Sequence, residues 1–122
     1  MDFAKVFTEF PVIETDQIRL RKLREEDAPA LYRYYSNQNV HRHLDWNGPE
    51  SLERSLEIIH FWNKGFDKGW ILRFAIADKV TDELIGTIFL SEFEGLRAEI
   101  GYELSENYWR RGIMSEAIHE VL

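Results

Sequence analysis

The chain has 122 residues, no cysteine, and 15 basic against 22 acidic residues for a formal charge of −7, so residues 1–122 suit a single domain without disulfides, cysteine zinc sites or a thiol nucleophile. A net acid excess argues against nucleic acid as partner and favours a cationic substrate. No basic and apolar leader follows Asp2, and no apolar run approaches the ~20 residues of a membrane span, which predicts a cytoplasmic protein with no membrane partner.

Gln17 to Leu23 alternates Ile18 and Leu20 with arginines, the period of a half-buried strand. Glu25, Glu26 and Asp27 then open a helix through Leu31, Tyr34 and Tyr35 that is expected to end near Asn37, because carboxylates and Pro29 suit a first turn. After a polar link, Gly48-Pro49-Glu50 predicts the start of a second helix with Leu52, Leu56 and Ile59 as its apolar stripe, and Gly65 and Gly69 predict its end. Three strands follow at Trp70 to Asp78, Leu84 to Ser91 and Ala98 to Leu104. The middle one is nearly all apolar, as in a central strand covered on both faces. Val80 to Glu83 and Glu94 to Leu96 read as hairpin turns, which makes the three strands antiparallel neighbours.

A last helix begins after Arg111-Gly112 and carries Met114, Ala117, Ile118, Val121 and Leu122 on one stripe. No Gly, Asn or Pro follows Leu122, so the helix is expected to be cut rather than completed.

Chemistry concentrates in Ala98 to Ala117 (AEIGYELSENYWRRGIMSEA). A helix N-terminus offers unpaired N–H groups and a positive dipole end, and Gly112 lets backbone approach a bound anion. Arg110, Arg111 and the Ser115 hydroxyl add charge and donors. Glu99, Gly101 and Glu103 share one strand face, with the two carboxylates roughly 13 Å apart, too far for a shared proton. The four histidines, 41, 43, 60 and 119, lack a metal-ligand spacing, so no metal is expected. Neither a P-loop nor a strand-linked G-x-G-x-x-G occurs.

The order of elements together with AEIGYEL and YWRRGIMSEA resembles the acyl-CoA-binding core of the GCN5-related N-acetyltransferases (GNAT), particularly the branch similar to ribosomal-protein N-terminal acetyltransferases. The likeness covers roughly residues 17 to 122. It implies an α/β (α+β) GNAT fold, here as the N-terminal portion β-α-α-β-β-β-α, with a later strand, a helix and a closing hairpin missing. Acetyl-CoA is the implied acyl donor, bound by Tyr102, Glu103 and Leu104 on the strand and by Arg110, Arg111, Gly112, Ile113, Met114 and Ser115 at the loop. Trp109 stands where the family signature has Gln or Arg, which resembles the ribosomal-type branch, and Met114 stands where it has Gly or Ala. The resemblance implies Glu99 as general base, taking a proton from an amine acceptor that is either a protein N-terminus or a small amine. Backbone amides near Gly101 to Glu103 are implied to polarise the thioester oxygen. Tyr35 and Trp46, with Tyr32 and Tyr34 nearby, are implied acceptor-side residues. A chain lacking the later elements has a second reading, a non-catalytic remnant acting as an interaction module, with an unpaired edge strand through which copies can associate.

Overall fold

A computed structural model describes residues 9–42, 44, 47–93 and 97–121, with backbone alone at 92, 93, 97 and 98. Among these residues, five strands form one antiparallel sheet in sequential order: β1 (Ile13–Glu14), β2 (Ile18–Arg21), β3 (Leu72–Asp78), β4 (Leu84–Phe93) and β5 (Arg97–Leu104). Four α-helices accompany them: α1 (Ala28–Tyr35), α2 (Gln38–His41), α3 (Leu52–Asp67) and α4 (Ile113–Val121). The mixed α/β architecture, the antiparallel trio β3-β4-β5 and the internal position of β4 agree with the sequence expectation. The expected turn at 94–96 lies outside the described residues, as does Leu122.

The two sheet faces carry different cores. Leu20, Phe74, Ile76 and Ile88 pack with Ile113, Ala117 and Val121 of α4. On the other face Ala75 and Leu84 pack with Leu31, Tyr34, Ile58 and Ile59 of α1 and α3. Because alternate strand residues point to opposite faces, a largely apolar β4 between two helical layers follows directly from its composition.

Several boundaries differ from expectation. The first predicted strand contracts to Ile18–Arg21, and the two-residue β1 pairs with it across a turn in which the Thr15 hydroxyl accepts from the Gln17 and Ile18 amides at 3.3 and 3.2 Å. The acidic cluster forms a 3-10 turn, Glu25–Asp27, ahead of α1, and a separate short helix α2 starts beyond Asn37. Asn37 caps α2 by accepting from the Asn39 amide at 2.9 Å. α3 begins after Ser51, whose hydroxyl accepts from the Arg54 amide at 3.0 Å, so the cap is Ser51 and Pro49 lies outside the helix. Its buried stripe is Ser55, Ile58, Ile59 and Phe66 with Leu56 partly buried beside it, while Leu52, the first helical residue after the cap, is 49% exposed. Gly65 stays inside α3. The end comes at Gly69 (φ +75°), where Trp70 N–H donates to Gly65 C=O and Gly69 N–H to Phe66 C=O, both at 2.9 Å, the paired bonds of a Schellman motif. Among the described residues no helix is long and apolar enough to cross a membrane.

Candidate active site

The site is built at the outer edge of β5 and the loop that leads from it into α4. Ser105 N–H donates to Ile85 C=O at 2.7 Å, and Thr87 faces Glu103 while Gly86 faces Leu104. In an antiparallel ladder bonding alternates, so the N–H groups of Tyr102 and Leu104 point away from β4 toward the unpaired edge. The Leu104 carbonyl points the same way and accepts from Trp109 Nε1 at 2.8 Å. Trp109 thereby ties the loop to the strand end.

Two left-handed residues, Arg110 (φ +65°) and Gly112 (φ +72°), shape the loop. Left-handed backbone is ordinary for glycine and costly for arginine, so a site that holds both turns its backbone sharply just before α4. Alternating right- and left-handed residues gather N–H groups into a concavity suited to anions. The first amide of this turn with a helical partner is Glu116, which donates to Gly112 C=O at 3.0 Å, leaving the preceding helix amides directed outward. Neighbouring strands brace the loop. Gln17 Nε2 donates to Arg111 C=O at 3.3 Å and to Glu116 at 2.8 Å, and Tyr108 donates to Asp78 at 3.1 Å. The Arg111 guanidinium lies 5.0 Å from the Tyr108 ring centroid.

Between the β5 edge and α4 opens a cleft of about 610 Å³ lined by Tyr102, Glu103, Leu104, Trp109, Arg110, Gly112, Ile113, Met114 and Ser115, with Asn39, Val40 and Leu44 opposite. Eight of the nine residues expected at a donor site therefore line one cleft. Arg111 does not; it lines a second cleft of about 310 Å³ with Arg33, Tyr34, Asn37 and Glu106. Met114 packs its side chain against the core beneath α4.

Glu99 and Glu103 share a face, since each is paired with an alternate residue of β4, Ser91 and Thr87. Their surroundings nonetheless separate them. Glu99 is exposed. Glu103 is 6% exposed and its carboxylate accepts from the Tyr34 hydroxyl at 2.8 Å and the Thr87 hydroxyl at 2.6 and 2.8 Å. Burial pushes its pKa up, while Arg73, Thr87 and Tyr34 pull the other way. Burial and the Glu103 charge also hold the Tyr34 phenol well above its usual range. A shared strand face therefore gives the two carboxylates different settings: the Glu103 carboxylate lies under α1, and Tyr34, Thr87 and Arg73 around it come from elements too distant in sequence to show as a motif.

On the acceptor side, Tyr35 is 3% exposed and stacks between Tyr34 and His41, with ring centroids 5.1 and 6.5 Å away. It lines a shallow cleft with Tyr32, Gln38 and Pro49. Trp46 lies outside the described residues. Asn37 and Asn39 donate to Glu106, joining the start of α2 to the turn after β5. Among the described residues no group of three His, Asp or Glu side chains is placed to hold a metal ion.

The sequence model of the family described as Acetyltransferase (GNAT) domain matches residues 17–122. The uncharacterised N-acetyltransferase YoaA of Bacillus subtilis strain 168 is 36% identical over 115 residues, 93% of this chain and 65% of that protein. A putative ribosomal-protein-serine acetyltransferase from Vibrio cholerae superposes with a TM-score of 0.79 at 23% identity, covering 92% of this chain and 64% of that one. The ribosomal alpha-N-protein acetyltransferase RimL, in complex with coenzyme A, gives 0.77 at 23% identity over 91% and 65%. The chain thus spans about 65% of the length of YoaA.

Proposed function

The chain belongs to the acetyltransferase (GNAT) family, and on that premise we propose that it transfers an acetyl group from acetyl-CoA directly to a primary amine, a protein N-terminus or a small amine. The observation that carries this reading is the cleft of about 610 Å³ where the β5 edge amides meet the left-handed turn at Arg110 and Gly112. The solved RimL structure holds coenzyme A, which supports coenzyme A as the ligand class here. The pyrophosphate lies on the amides opening α4, where the helix dipole and Arg110 favour negative charge. The thioester carbonyl lies at the β5 edge, where the Tyr102 and Leu104 amides stabilise the oxyanion as nitrogen attacks.

An ammonium must lose a proton before its nitrogen can form the C–N bond, and Glu99 is the base that receives it, through water. The C–S bond then breaks and coenzyme A departs as a thiolate that takes up a proton. Glu103 is a positioning residue: bridged to Tyr34 and Thr87, it holds the β5 edge against β4 and α1. We place the enzyme in the cytoplasm and read residues 1–122 as belonging to one domain.

Steady-state assay of Glu99→Gln with an amine panel, beside calorimetry with acetyl-CoA, tests the reading. The expected result is a fall in kcat of about a hundredfold or more with donor affinity unchanged. Unchanged turnover removes Glu99 from the mechanism, and transfer to no amine by the unsubstituted chain favours a binding module instead.

A further inference from the structure

Arg73 faces Phe89 across β3 and β4, and Phe89 faces Gly101 across β4 and β5, so Arg73, Phe89 and Gly101 form one row on the sheet face that also carries Glu99. A Cβ on Gly101 would lie 2.2 Å from the Phe89 ring, so that ring fills the place of a side chain there. The Arg73 guanidinium sits between two aromatic rings, 3.9 Å from the Trp62 centroid and 4.6 Å from that of Phe89. Among the described residues its one hydrogen bond runs from Nη1 to the Thr87 hydroxyl at 2.7 Å. Glu103 is 3.8 Å from Nη1, beyond hydrogen-bonding distance. Nε is buried and has no partner.

A buried donor left unpaired is costly, and the Nε–Nη2 edge is one that a carboxylate grips with two parallel bonds. Arg73 lies in a cleft of about 310 Å³ with Arg54, Ile58, Phe61 and Trp62: two cations, two aromatic rings and one aliphatic chain, with no carboxylate in the lining among the described residues; Arg54 pairs with Glu57 at 2.8 Å beside it. Phe61 is 70% exposed on this rim. Such a lining combines a charge fork with apolar walls, which suits an anion carried on an apolar body better than a hydrated inorganic ion.

We infer that this cleft is an acceptor subsite in which Arg73 grips the carboxylate of a small amino-carboxylate substrate whose apolar body lies against Phe61 and Trp62. The inference rests on the acetyl-transfer reading above for the identity of the other end. Arg73 stands two strands from the β5 edge, so the reacting amine is about 10 Å from the carboxylate. Glu99, on the same face of β5, then lies at the amine end. A polyamine, cationic at both ends, would meet Arg54 and Arg73 unfavourably.

The test is a tryptophan-fluorescence titration without acetyl-CoA, comparing N-acetylphenylalanine with its neutral amide, N-acetylphenylalaninamide, a pair that carries the carboxylate and the apolar body but not the distant amine. The acid is expected to bind at least about tenfold more tightly than the amide, a difference of one tenfold step or more in Kd. Arg73→Lys, which keeps charge and loses the fork, is expected to abolish that preference. Arg54→Ala and Phe61→Ala, both at exposed positions, are expected to weaken the acid several-fold, and they decide the matter should Arg73→Lys fail to fold. Equal binding of acid and amide, no binding of either, or unchanged affinity in both exposed-site variants overturns the subsite. Because acetyl-CoA takes no part, failure of transfer with the titration intact counts against the transferase reading alone.

Discussion

Arg21 and Arg73 stand on the same face of one sheet, related through Ala75 by register, yet their donors meet different fates. Arg21 uses all five N–H groups: Nε reaches Asp82 at 3.1 Å, Nη1 reaches Lys22 C=O and Asp27, and Nη2 reaches Asp27 and Asp82 C=O. Arg73 uses one. The first cluster sits where the β3-β4 turn meets the start of α1, and its business is holding the fold together. The second lies between an open cleft and the Glu103 carboxylate. A guanidinium satisfied on every side is finished structure, whereas a caged one with an empty edge is a place for a ligand.

Removing a partner from the finished cluster should give the largest effect. Asp27→Ala leaves Arg21 buried without its bidentate carboxylate, and urea unfolding is expected to show a loss of about 3–5 kcal/mol; a loss below about 1 kcal/mol would mean the pair is no more than a surface bridge. Next comes Gly101→Ala, whose methyl would displace the Phe89 ring that packs on Arg73. About 1–3 kcal/mol of stability should go, and carboxylate binding should weaken with it. Unchanged stability would show that Phe89 turns aside freely.

The acids of the two clusters should respond oppositely to pH. Burial acts to raise the Asp82 pKa, but Arg21 and Arg19 outweigh it and hold the carboxyl below its usual value. Stability from Asp82 is therefore present above the unfolded Asp value, near 4, and lost as pH falls through the lower folded value. Asp82→Asn should cost about 1–2 kcal/mol at neutral pH, with the gap to the parent closing in acid. Glu103, raised by burial, has the other sign. Its contribution is intact below the unfolded Glu value and lost as pH rises through the folded one. Glu103→Gln should abolish that loss, a slope of at most about 1.4 kcal/mol per pH unit. Chemical denaturation across pH 3–8 checks both, and parallel profiles for the two variants would contradict the assignment.

What the sequence showed and withheld follows the same division. Helix α4 is legible from its hydrophobic period, and strands β3 to β5 from short apolar or alternating runs bounded by turn residues. The turn from Trp109 to Ser115 is legible as a helix-opening loop because its residues are contiguous. Strand β1 was missed since two residues carry no period, and α2 was missed because one Asn cap starts four helical residues. Placing α3 after Pro49 overlooked Ser51, the stronger cap. The Arg73 cage could not be read at all: Trp62, Arg73, Thr87, Phe89 and Glu103 come from one helix and three strands, and only the register brings them together. The charge of Arg110 is written in the sequence, while its left-handed backbone is a property of the fold.

A calorimetric titration of the chain with acetyl-CoA, run beside Gly112→Val, decides whether acetyl-CoA occupies the cleft between the β5 edge and α4. Micromolar binding by the chain is expected, with at least about tenfold weaker binding by the variant, whose β-branched side chain disfavours the left-handed turn. Absence of binding by the parent chain, or equal affinity in both, would contradict that occupancy.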